Sequence, residues 1–494
     1  MHPGVSAAGR VMLSDETMTW GVLSLLAVHA AGLLLALRAM ADSRTPQGSL
    51  AWMFALTLLP YVSIPLYFAL GSRRFSGYVE ARRRSSRCDS QLASVTALVQ
   101  KRLAPLSWLL PPGRYERLRG LQNLVNLPIC KGNSARLLVD GKETYDELIA
   151  AIREAKRYIL FEFYIIKNDW AGSMIKNLLI ERARAGVSVY VIYDEIGSHK
   201  LLPGHIRQMK KAGVRIVPFN GKRLFLTNIV RLNFRNHRKL VLADGRMAFV
   251  GGLNIGVDYL GQGHLGYWRD TFLRLSGPAV LEAQLSFLED WHWATYGDIP
   301  ELDWESAAAA AGDVPMMLLP SGPVDSLNVW QTALVLLAET AHKRLWLTTP
   351  YFVPSEVVTN ALQMAALRGV DVRILVPRKC DHRLVQLSSL TLLPELLPYG
   401  IGVYAYNKGF LHEKIALADD DICTVGTANL DNRSLSLNFE LTALMCSEEM
   451  AGQVHEMLLR DFEHSVPLRP EDWESRSFVL KAAASFARLM APVQ

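Results

Sequence analysis

The chain opens with two long hydrophobic runs that differ from everything after them. Residues 20–37 read WGVLSLLAVHAAGLLLAL and residues 50–70 read LAWMFALTLLPYVSIPLYFAL, without Lys, Arg, Asp or Glu in either. A helix needs about 20 apolar residues to cross a bilayer. We therefore predict two transmembrane segments, at about 20–38 and 50–70. Pro60 and Pro65 would kink the second segment or make it re-entrant.

A secretory signal is the alternative for the first run, and a buried core helix is the alternative for the second. The second run comes almost directly after the first, with no clear small-residue cleavage site between them, which argues against a signal. The second run lacks charge and contains Trp52, Tyr61 and Tyr67, which favours the membrane.

Basic residues flank the two runs unevenly. Six arginines lie after the second run within residues 73–87, whereas the loop between the runs offers only Arg38 and Arg44. Cytoplasmic flanks carry the excess of Lys and Arg, so this bias places the main body in the cytoplasm, on the same side as the N-terminus. The basic stretch would be attracted to anionic headgroups, or it is a solvated linker.

Beyond about residue 126 the chain alternates strand-like and helix-like stretches, and the order of these stretches repeats. RAGVSVYVIYD at 184–194 aligns with LRGVDVRILVP at 367–377, and GVRIVPFN at 213–220 aligns with GIGVYAYN at 400–407. A unit of about 170 residues is therefore used twice. Alternation of this kind predicts an α/β fold with mixed sheets flanked by helices, here as two similar domains around one pseudo-twofold axis.

These patterns divide the chain into six segments. We predict a membrane anchor at 1–72, a basic linker at 73–125, a first α/β domain at 126–302, a linker at 303–313, a second α/β domain at 314–475 and a C-terminal amphipathic helix at 476–494. That last helix either packs on the body or lies at a lipid interface.

Cysteine content and charge narrow the function classes without choosing one. The five cysteines are scattered and form no CxxC pair, so neither a disulfide framework nor a zinc site is indicated, and a reducing compartment fits. The net charge of +6 is compatible with binding to phosphates or to an anionic membrane, but it does not show whether the substrate is a lipid or a nucleic acid.

The repeated unit carries the same polar residues in each copy. HRKLVLADGRMAFVGGLN starts at residue 237 and HEKIALADDDICTVGTAN starts at residue 412, and both read as strand, turn and strand. In a strand, residues two apart share a face, so each His lies beside its Lys. The corresponding residues are His237, Lys239, Asp244, Gly252 and Asn254 in the first copy, and His412, Lys414, Asp419, Thr427 and Asn429 in the second, and all but Gly252 and Thr427 are of the same type.

An imidazole, an ammonium group and an amide around a glycine-lined loop suit a phosphoryl group. Transfer through a covalent intermediate needs a nucleophile and a second group that protonates the leaving alcohol, and two facing copies supply both. Asp270 and Glu440, on the strands after the two loops, are candidates for orienting the histidines. Asp244 and Asp419 complete the motif, although their turn positions suggest that they fix the hairpins or pair with Lys or Arg.

These two HxKxxxxD motifs resemble the signature of the phospholipase D superfamily, which implies two phospholipase D-like domains. At finer grain, the stretches LLPSGP, TPYFVPSE and LHEKIALADDDICTVGTANLDNRSLSLNFEL resemble the bacterial cardiolipin synthase family, over nearly the whole chain. One difference is Asn236, where that family leads us to expect Asp. The resemblance implies transfer of a phosphatidyl group between two phosphatidylglycerols, which gives cardiolipin and glycerol without a metal or other cofactor.

The resemblance also implies residue roles. His237 would attack phosphorus to form a phosphatidyl-histidine, and His412 would protonate the departing glycerol and then deprotonate the acceptor. The lysines Lys239 and Lys414 would hold the non-bridging oxygens together with Asn254, Asn429, Gly252 and Thr427. The expected location is the bacterial inner membrane, multi-pass and membrane-embedded, with no nucleic acid partner.

Alternatives stay open at this point. A hydrolytic phospholipase D would use the same residues, a nuclease of the superfamily is less compatible with the hydrophobic runs, and a non-enzymatic scaffold is less compatible with two intact motifs. Phosphatidylethanolamine could replace the second phosphatidylglycerol as acceptor. The sequence does not decide acyl preference or homo-oligomer formation.

Overall fold

A computed structural model describes residues 15–42, 46–71, 90–113, 115–220, 234–305, 311–325 and 327–489. The described residues fall into two compact units, one up to Gly71 and one from Ser90 onward. The basic stretch at 73–87, Cys88 and residues 306–310, which are Ser306 and four alanines, lie outside the described residues. The four cysteines within them, at 130, 380, 423 and 446, form no disulfide.

The N-terminal unit is built from three helices and a short π-helical turn. These are α1 (Asp15–Asp42), α2 (Pro46–Leu58), α3 (Pro60–Leu66) and the turn Tyr67–Gly71. Residues 19–41 of α1 are the single stretch among the described residues that is long and apolar enough to cross a membrane as one helix. Gly32 brings α1 against α2, since a Cβ there would overlap the carbonyl oxygen of Leu56.

The second hydrophobic run does not form one continuous helix. It breaks at Leu59, whose φ and ψ of −132° and 53° are not helical, and α3 restarts at Pro60. Proline has no N–H to donate and restricts the residue before it, which explains the break. Ser63 Oγ donates to the carbonyl oxygens of Ala55 and Leu59 across the break, at 2.9 and 2.7 Å. The broken segment therefore differs from the single spanning helix that hydrophobicity suggested.

The body is mixed α/β, as the alternating pattern predicted. Its helices are α4 (Ser90–Leu103), α5 (Arg119–Val125), α6 (Asp140–Glu154), α7 (Trp170–Arg184), α8 (Pro203–Lys211), α9 (Ala279–Thr295), α10 (Val329–Thr340), α11 (Glu356–Leu367), α12 (Arg383–Leu392), α13 (Asn432–Ser436), α14 (Glu448–Glu463), α15 (Pro470–Glu474) and α16 (Phe478–Leu489). Short 3₁₀ turns lie at Ala104–Leu106, Tyr115–Leu118, Val257–Leu260 and Pro394–Tyr399.

Most strands of both halves join in one sheet, and four short strands form two separate pairs. In the first half they are β1 (Cys130–Val139), β2 (Tyr158–Phe163), β3 (Ser188–Tyr193), β4 (Arg215–Pro218), β5 (Arg235–Asn236), β6 (Lys239–Ala243), β7 (Met247–Gly251), β8 (Trp268–Arg269) and β9 (Thr271–Ser276). In the second they are β10 (Val314–Ser321), β11 (Arg344–Thr348), β12 (Phe352–Val353), β13 (Asp371–Pro377), β14 (Gly402–Tyr406), β15 (Phe410–Leu411), β16 (Ile415–Ala418), β17 (Ile422–Gly426), β18 (Leu430–Asp431), β19 (Asn438–Cys446) and β20 (Ser465–Pro467).

The strand order is the same in the two halves when it is traced outward from the antiparallel β1–β10 pair. The first half runs β1-β9-β7-β6-β2-β3-β4 and the second runs β10-β19-β17-β16-β11-β13-β14. Corresponding neighbours also pair in the same sense: β2 with β3 and β11 with β13 are parallel, whereas β6 with β7 and β16 with β17 are antiparallel. Each motif therefore occupies the same place in its half.

Short strands cross between the halves and bring the two motifs to one region. β5 of the first half pairs in parallel with the start of β19, and β15 of the second half pairs in parallel with β8. Because β5 leads directly into His237 and β15 leads directly into His412, each histidine starts from a strand that is hydrogen-bonded to the other half.

Asp244 and Asp419 both occupy tight turns, with φ of 55°. The Asp244 carboxylate accepts backbone N–H groups from residues 156–158, and the Asp419 carboxylate accepts those of residues 342–344. The five residues of β6 separate Asp244 from the histidine end of the strand, roughly 16 Å of extended chain. This geometry supports their role in fixing the hairpins, and a direct part for the two aspartates in the reaction stays a prediction.

We expect Asp244→Ala and Asp419→Ala each to lower stability by about 1–3 kcal/mol, because each leaves three backbone N–H groups without an acceptor. The measurement is the unfolding temperature of the full chain in detergent micelles, with activity scaled to the folded fraction. Activity per folded molecule should stay near that of the original protein. Loss of activity at an unchanged unfolding temperature would instead indicate that the aspartates take part in the reaction.

Candidate active site

The residues around His237 alternate between two faces, and contacts define both. Asn236 Nδ2 donates to Glu162 at 2.5 Å and to Asp290 at 3.2 Å, and Arg238 Nη1 donates to the same Asp290 at 2.6 Å. Residues 236 and 238 thus point into the interior of the first half. His237 and its neighbours two residues away occupy the opposite face, as the strand pattern predicted.

Each histidine is held by a carboxylate of the other half. His237 Nδ1 lies 2.9 Å from Glu440 Oε2, and His412 Nδ1 lies 2.7 Å from Asp270 Oδ2. A ring nitrogen that donates to a carboxylate is protonated, so the neutral imidazole carries its lone pair on Nε2. The crossed pairs thus leave the Nε2 atoms available for attack or proton transfer, and they place Asp270 and Glu440 in the contacts expected of histidine-orienting groups.

Both lysines are buried beside their histidines. Lys239 Nζ donates to the carbonyl oxygen of His237 at 2.6 Å, and Lys414 Nζ makes the corresponding bond to the carbonyl of His412 while lying 2.9 Å from its Nδ1. Burial lowers the pKa of Lys239 well below its usual value and that of Lys414 to about 8, despite opposing carboxylates. An anionic substrate would stabilise both as ammonium ions.

Burial also sets the charge of the histidines. It lowers the pKa of His237 to about 4, although Glu440 acts in the opposite direction, and it lowers the pKa of His412 well below the usual value. The positive charge of His237 is itself one of the effects that lower the His412 pKa, so the two imidazoles lie within electrostatic reach of each other. Both rings are therefore neutral at pH 7.

The two carboxylates differ in their surroundings. Burial raises the pKa of Asp270 to about 6, with Lys414 acting against it. For Glu440 burial acts in the same direction, but the attraction of His237 and further hydrogen bonds outweigh it and lower the pKa. Thr427 Oγ1 at 2.5 Å, Ser434 Oγ at 2.7 Å and Asn438 Nδ2 at 3.3 Å all donate to Glu440. Glu440 is thus a firmly ionised partner of His237.

Gly252 and Thr427 serve these carboxylates rather than an open phosphate pocket. A Cβ on Gly252 would overlap the Asp270 carboxylate, so only glycine admits it. The Thr427 hydroxyl donates to Glu440. The backbone N–H of Gly252 donates to the Thr271 carbonyl, and that of Thr427 donates to Leu441. Phosphate binding by Gly252 and Thr427 stays a prediction, and their backbone N–H groups are already hydrogen-bonded within the sheet.

The two predicted asparagines are buried and partly engaged. Asn254 Oδ1 accepts the N–H of Ile165 at 3.0 Å, and its Nδ2 donates to the hydroxyl of Tyr259 at 3.1 Å. Asn429 Nδ2 donates to Asp431 at 3.1 Å. Since an amide nitrogen carries two hydrogens, these bonds orient each side chain and leave a second N–H per amide for a substrate oxygen.

Aromatic rings that the motif does not reveal line the two histidines. The Tyr164 ring lies 4.9 Å from that of His237, and the Trp268 ring lies 5.1 Å from that of His412, with Phe410 and Tyr351 at 5.5 and 6.4 Å. Trp268 and Phe410 were recognisable only as apolar residues near the motifs, since their contact depends on the β8–β15 pair between the halves. These rings pack around the imidazoles, and both histidines are buried.

Comparison with known proteins places this arrangement in a family. The model described as "Cardiolipin synthase, PLD-like domain" matches residues 148–264 and 334–462, and each matched segment contains one His-Lys pair. "Cardiolipin synthase A" of Pseudomonas putida strain W619 is 38% identical over 467 residues, 94% of this chain and 97% of that protein. "Cardiolipin synthase A" of Pseudomonas aeruginosa strain LESB58 is 39% identical over 476 residues, 95% and 96% of the two chains.

A solved structure supports the fold. The crystal structure of phosphatidylserine synthase from Haemophilus influenzae superposes with a TM-score of 0.59 at 17% identity, and it covers 77% of this chain and 100% of its own. Identity at this level bears on the fold alone, whereas the two relatives match nearly from end to end. The chain therefore belongs to the cardiolipin synthase family of the phospholipase D superfamily.

Proposed function

We propose that this enzyme transfers a phosphatidyl group from one phosphatidylglycerol to another, giving cardiolipin and glycerol. The observation that carries the proposal is the pair of crossed histidine–carboxylate bonds in a buried centre with two lysines, in a chain 38–39% identical to cardiolipin synthases over nearly its whole length. This centre provides a nucleophile, an acid and cations for one phosphodiester.

The reaction would proceed in two displacements. Nε2 of His237 attacks phosphorus and forms a P–N bond as the P–O bond to the departing glycerol breaks, and His412 gives its proton to that oxygen. His412 then takes the proton of the acceptor's hydroxyl as that oxygen attacks phosphorus and the P–N bond breaks. Lys239, Lys414 and the second amide N–H groups of Asn254 and Asn429 would hold the non-bridging oxygens.

The electrostatics of the site suit this sequence of steps. Neutral His237 is ready to attack, because protonation would remove its lone pair. The negative charge of an entering phosphodiester raises the pKa of nearby bases, so His412 would gain its proton as substrate binds. Exclusion of water by the surrounding rings would direct the intermediate toward a lipid alcohol rather than toward hydrolysis.

The body is proposed to be a duplicated pair of phospholipase D-like domains, at 126–302 and 314–475, related by a pseudo-twofold axis. The shared strand order of the two halves supports duplication. The reciprocal contacts, in which each half orients the other's histidine, are those that a twofold relation produces.

The chain is proposed to be a multi-pass protein of the bacterial inner membrane with its body in the cytoplasm. Residues 19–41 provide one span by length and composition. The broken α2–α3 segment would provide the second, with Pro60 and Ser63 inside it. The arginines at 73–87 favour the cytoplasmic side for the body, which begins directly after them.

Reporter fusions test this topology in bacterial cells. Alkaline phosphatase, which is active only outside the cytoplasm, should be active when fused after Ala41, and a fluorescent protein fused at the C-terminus should fold in the cytoplasm. If the α2–α3 segment re-enters without crossing, both fusions would report the same side.

The reaction itself is tested by analysing products from purified full-length protein and phosphatidylglycerol vesicles. We expect cardiolipin and glycerol in equal amounts, and His237→Ala and His412→Ala should each reduce turnover by about 10³-fold or more, because each removes a reacting group. The exposed His264 provides the matched control, since His264→Ala should leave turnover unchanged. Phosphatidic acid as sole product would identify a hydrolase instead, and vesicles with phosphatidylethanolamine would test the second acceptor.

A substrate with a better leaving group separates the roles of the two histidines. p-Nitrophenolate departs without protonation, so phosphatidyl-p-nitrophenol should restore the first-turnover burst of nitrophenolate that is lost in His412→Ala and Asp270→Asn. Later turnovers should stay slow, because the acceptor hydroxyl still needs a base. It should not rescue His237→Ala or Glu440→Gln, the latter expected to be slowed roughly 10²-fold with either substrate. The opposite pattern would make His412 the attacking group.

A further inference from the structure

A buried arginine lies beside the carboxylate that holds His412, where the other copy has an apolar residue. Arg269 comes directly before Asp270, whereas Phe439 comes directly before Glu440. The backbone carbonyl of Arg269 accepts the N–H of His412 at 2.7 Å, within the β8–β15 pair. Arg269 is therefore part of the junction at which the histidine of one half meets the carboxylate of the other.

One edge of the Arg269 guanidinium is fixed on the second half. Its Nε and Nη2 atoms donate to Oδ1 and Oδ2 of Asp461 on α14, at 2.7 and 2.8 Å. Nη2 also lies 3.5 Å from the carboxylate of Glu413, the residue after His412. Asp461 and Glu413 are both buried. Because two parallel bonds to one carboxylate set both the position and the plane of a guanidinium group, this edge has a defined orientation.

The other edge of the same guanidinium reaches the peptide of Asp270. Arg269 Nη1 donates to the Asp140 carboxylate at 3.1 Å and to the Asp270 carbonyl oxygen at 3.3 Å. Asp140 holds the same residue from both sides, since its N–H donates to the Asp270 carbonyl at 2.8 Å and its carboxylate accepts the Asp270 N–H at 3.2 Å. Arg269 therefore links the backbone of Asp270, in the first half, to α14 of the second half.

Asp270 depends on this backbone support more than Glu440 does. Glu440 accepts hydrogen bonds from three side chains of its own half, which fix its carboxylate directly. Besides the His412 ring, the Asp270 carboxylate accepts the backbone N–H of Thr271 at 2.8 Å. The direction of the Asp270 carboxylate therefore follows the position of its own backbone.

We propose that Arg269 is a positioning residue for proton transfer, because it holds the Asp270 peptide where the carboxylate reaches His412. This inference rests on the proposed function, in which His412 protonates the departing glycerol. A misplacement of about 1 Å in a reacting group lowers rates by about 10²-fold, so a small shift of Asp270 should be measurable. A buried ion pair is weak evidence for stability, and Phe439 serves the corresponding place in the other copy, so stability alone does not call for an arginine there.

The experiment compares a reaction that needs the acid with one that does not. Full-length Arg269→Lys keeps the positive charge but lacks the planar fork that bonds Asp461 and Asp140 together. Release of glycerol from phosphatidylglycerol vesicles requires a protonated leaving group, whereas the first-turnover burst of nitrophenolate from phosphatidyl-p-nitrophenol does not. We expect glycerol release to fall at least about tenfold. The burst rate should stay within about twofold of that of the original protein.

Two further variants separate positioning from a general loss of buried charge. Asp461→Asn removes the charged anchor but leaves Arg269 in place, and it should show the same difference between the two substrates. Arg238→Lys is the matched control, since Arg238 is a buried arginine that bonds Asp290 on α9 and the Glu440 carbonyl. Because the His237 side acts on both substrates, Arg238→Lys should slow the burst and glycerol release in equal proportion.

The outcomes distinguish this proposal from the proposed function. If the original protein forms phosphatidic acid in place of cardiolipin, the proposed function fails, and glycerol release still tests Arg269. If Arg269→Lys and Asp461→Asn slow both substrates equally, Arg269 supports the fold and the positioning role is overturned. Normal glycerol release in both variants, or the same selective loss in Arg238→Lys, would overturn it as well. Unfolding temperatures are measured for all three variants, and Asp461→Asn decides if Arg269→Lys does not fold.

Discussion

Two hydrogen bonds that cross between the halves organise this protein. Glu440 of the second half holds His237 of the first, and Asp270 of the first half holds His412 of the second. Neither half can therefore orient its own histidine. The crossing strands β5 and β15 enforce the exchange, since each delivers a histidine from a backbone pairing with the other half. The strand pairings that join the halves thus also place each histidine beside the carboxylate of the other half.

Burial gives this centre its reactivity, and it also makes the site costly to assemble. Histidine, lysine and carboxylate side chains taken out of water favour their neutral forms unless they are paired. Here Glu440 keeps its charge through three polar donors besides His237, whereas Lys239 and Lys414 have depressed pKa values and donate to backbone carbonyl oxygens. Because these two ammonium groups are poorly solvated, an anionic ligand stabilises their charged forms more strongly than it would in water. The free energy that is lost in assembling the site is therefore regained when a phosphodiester binds.

The mixed α/β class was predictable from the sequence, because strand alternation is a local property. The repeat and the roles of the matching side chains rest on matched spacing, and they stay predictions. The sequence did not reveal which carboxylate serves which histidine, since that depends on β5 and β15 crossing between halves. Small residues near a phosphate motif predicted phosphate contacts for Gly252 and Thr427, and only the fold shows the carboxylates packed against them. The turn position of Asp244 was predictable from the sequence. Its hydrogen bonds were not, because the three N–H groups that its carboxylate accepts come from residues nearly 90 positions earlier. In the second hydrophobic run, Pro60 and Pro65 predicted a kink or a re-entrant segment, whereas composition alone predicted one spanning helix.

The two halves share a strand order, but the carboxylates that hold the two histidines are not equal in their surroundings. Glu440 accepts hydrogen bonds from Thr427, Ser434 and Asn438, and its pKa is lowered. Burial instead raises the pKa of Asp270 to about 6. The two histidines therefore have the same kind of partner in unlike electrostatic surroundings, which suits the separate roles of nucleophile and acid that we propose for them.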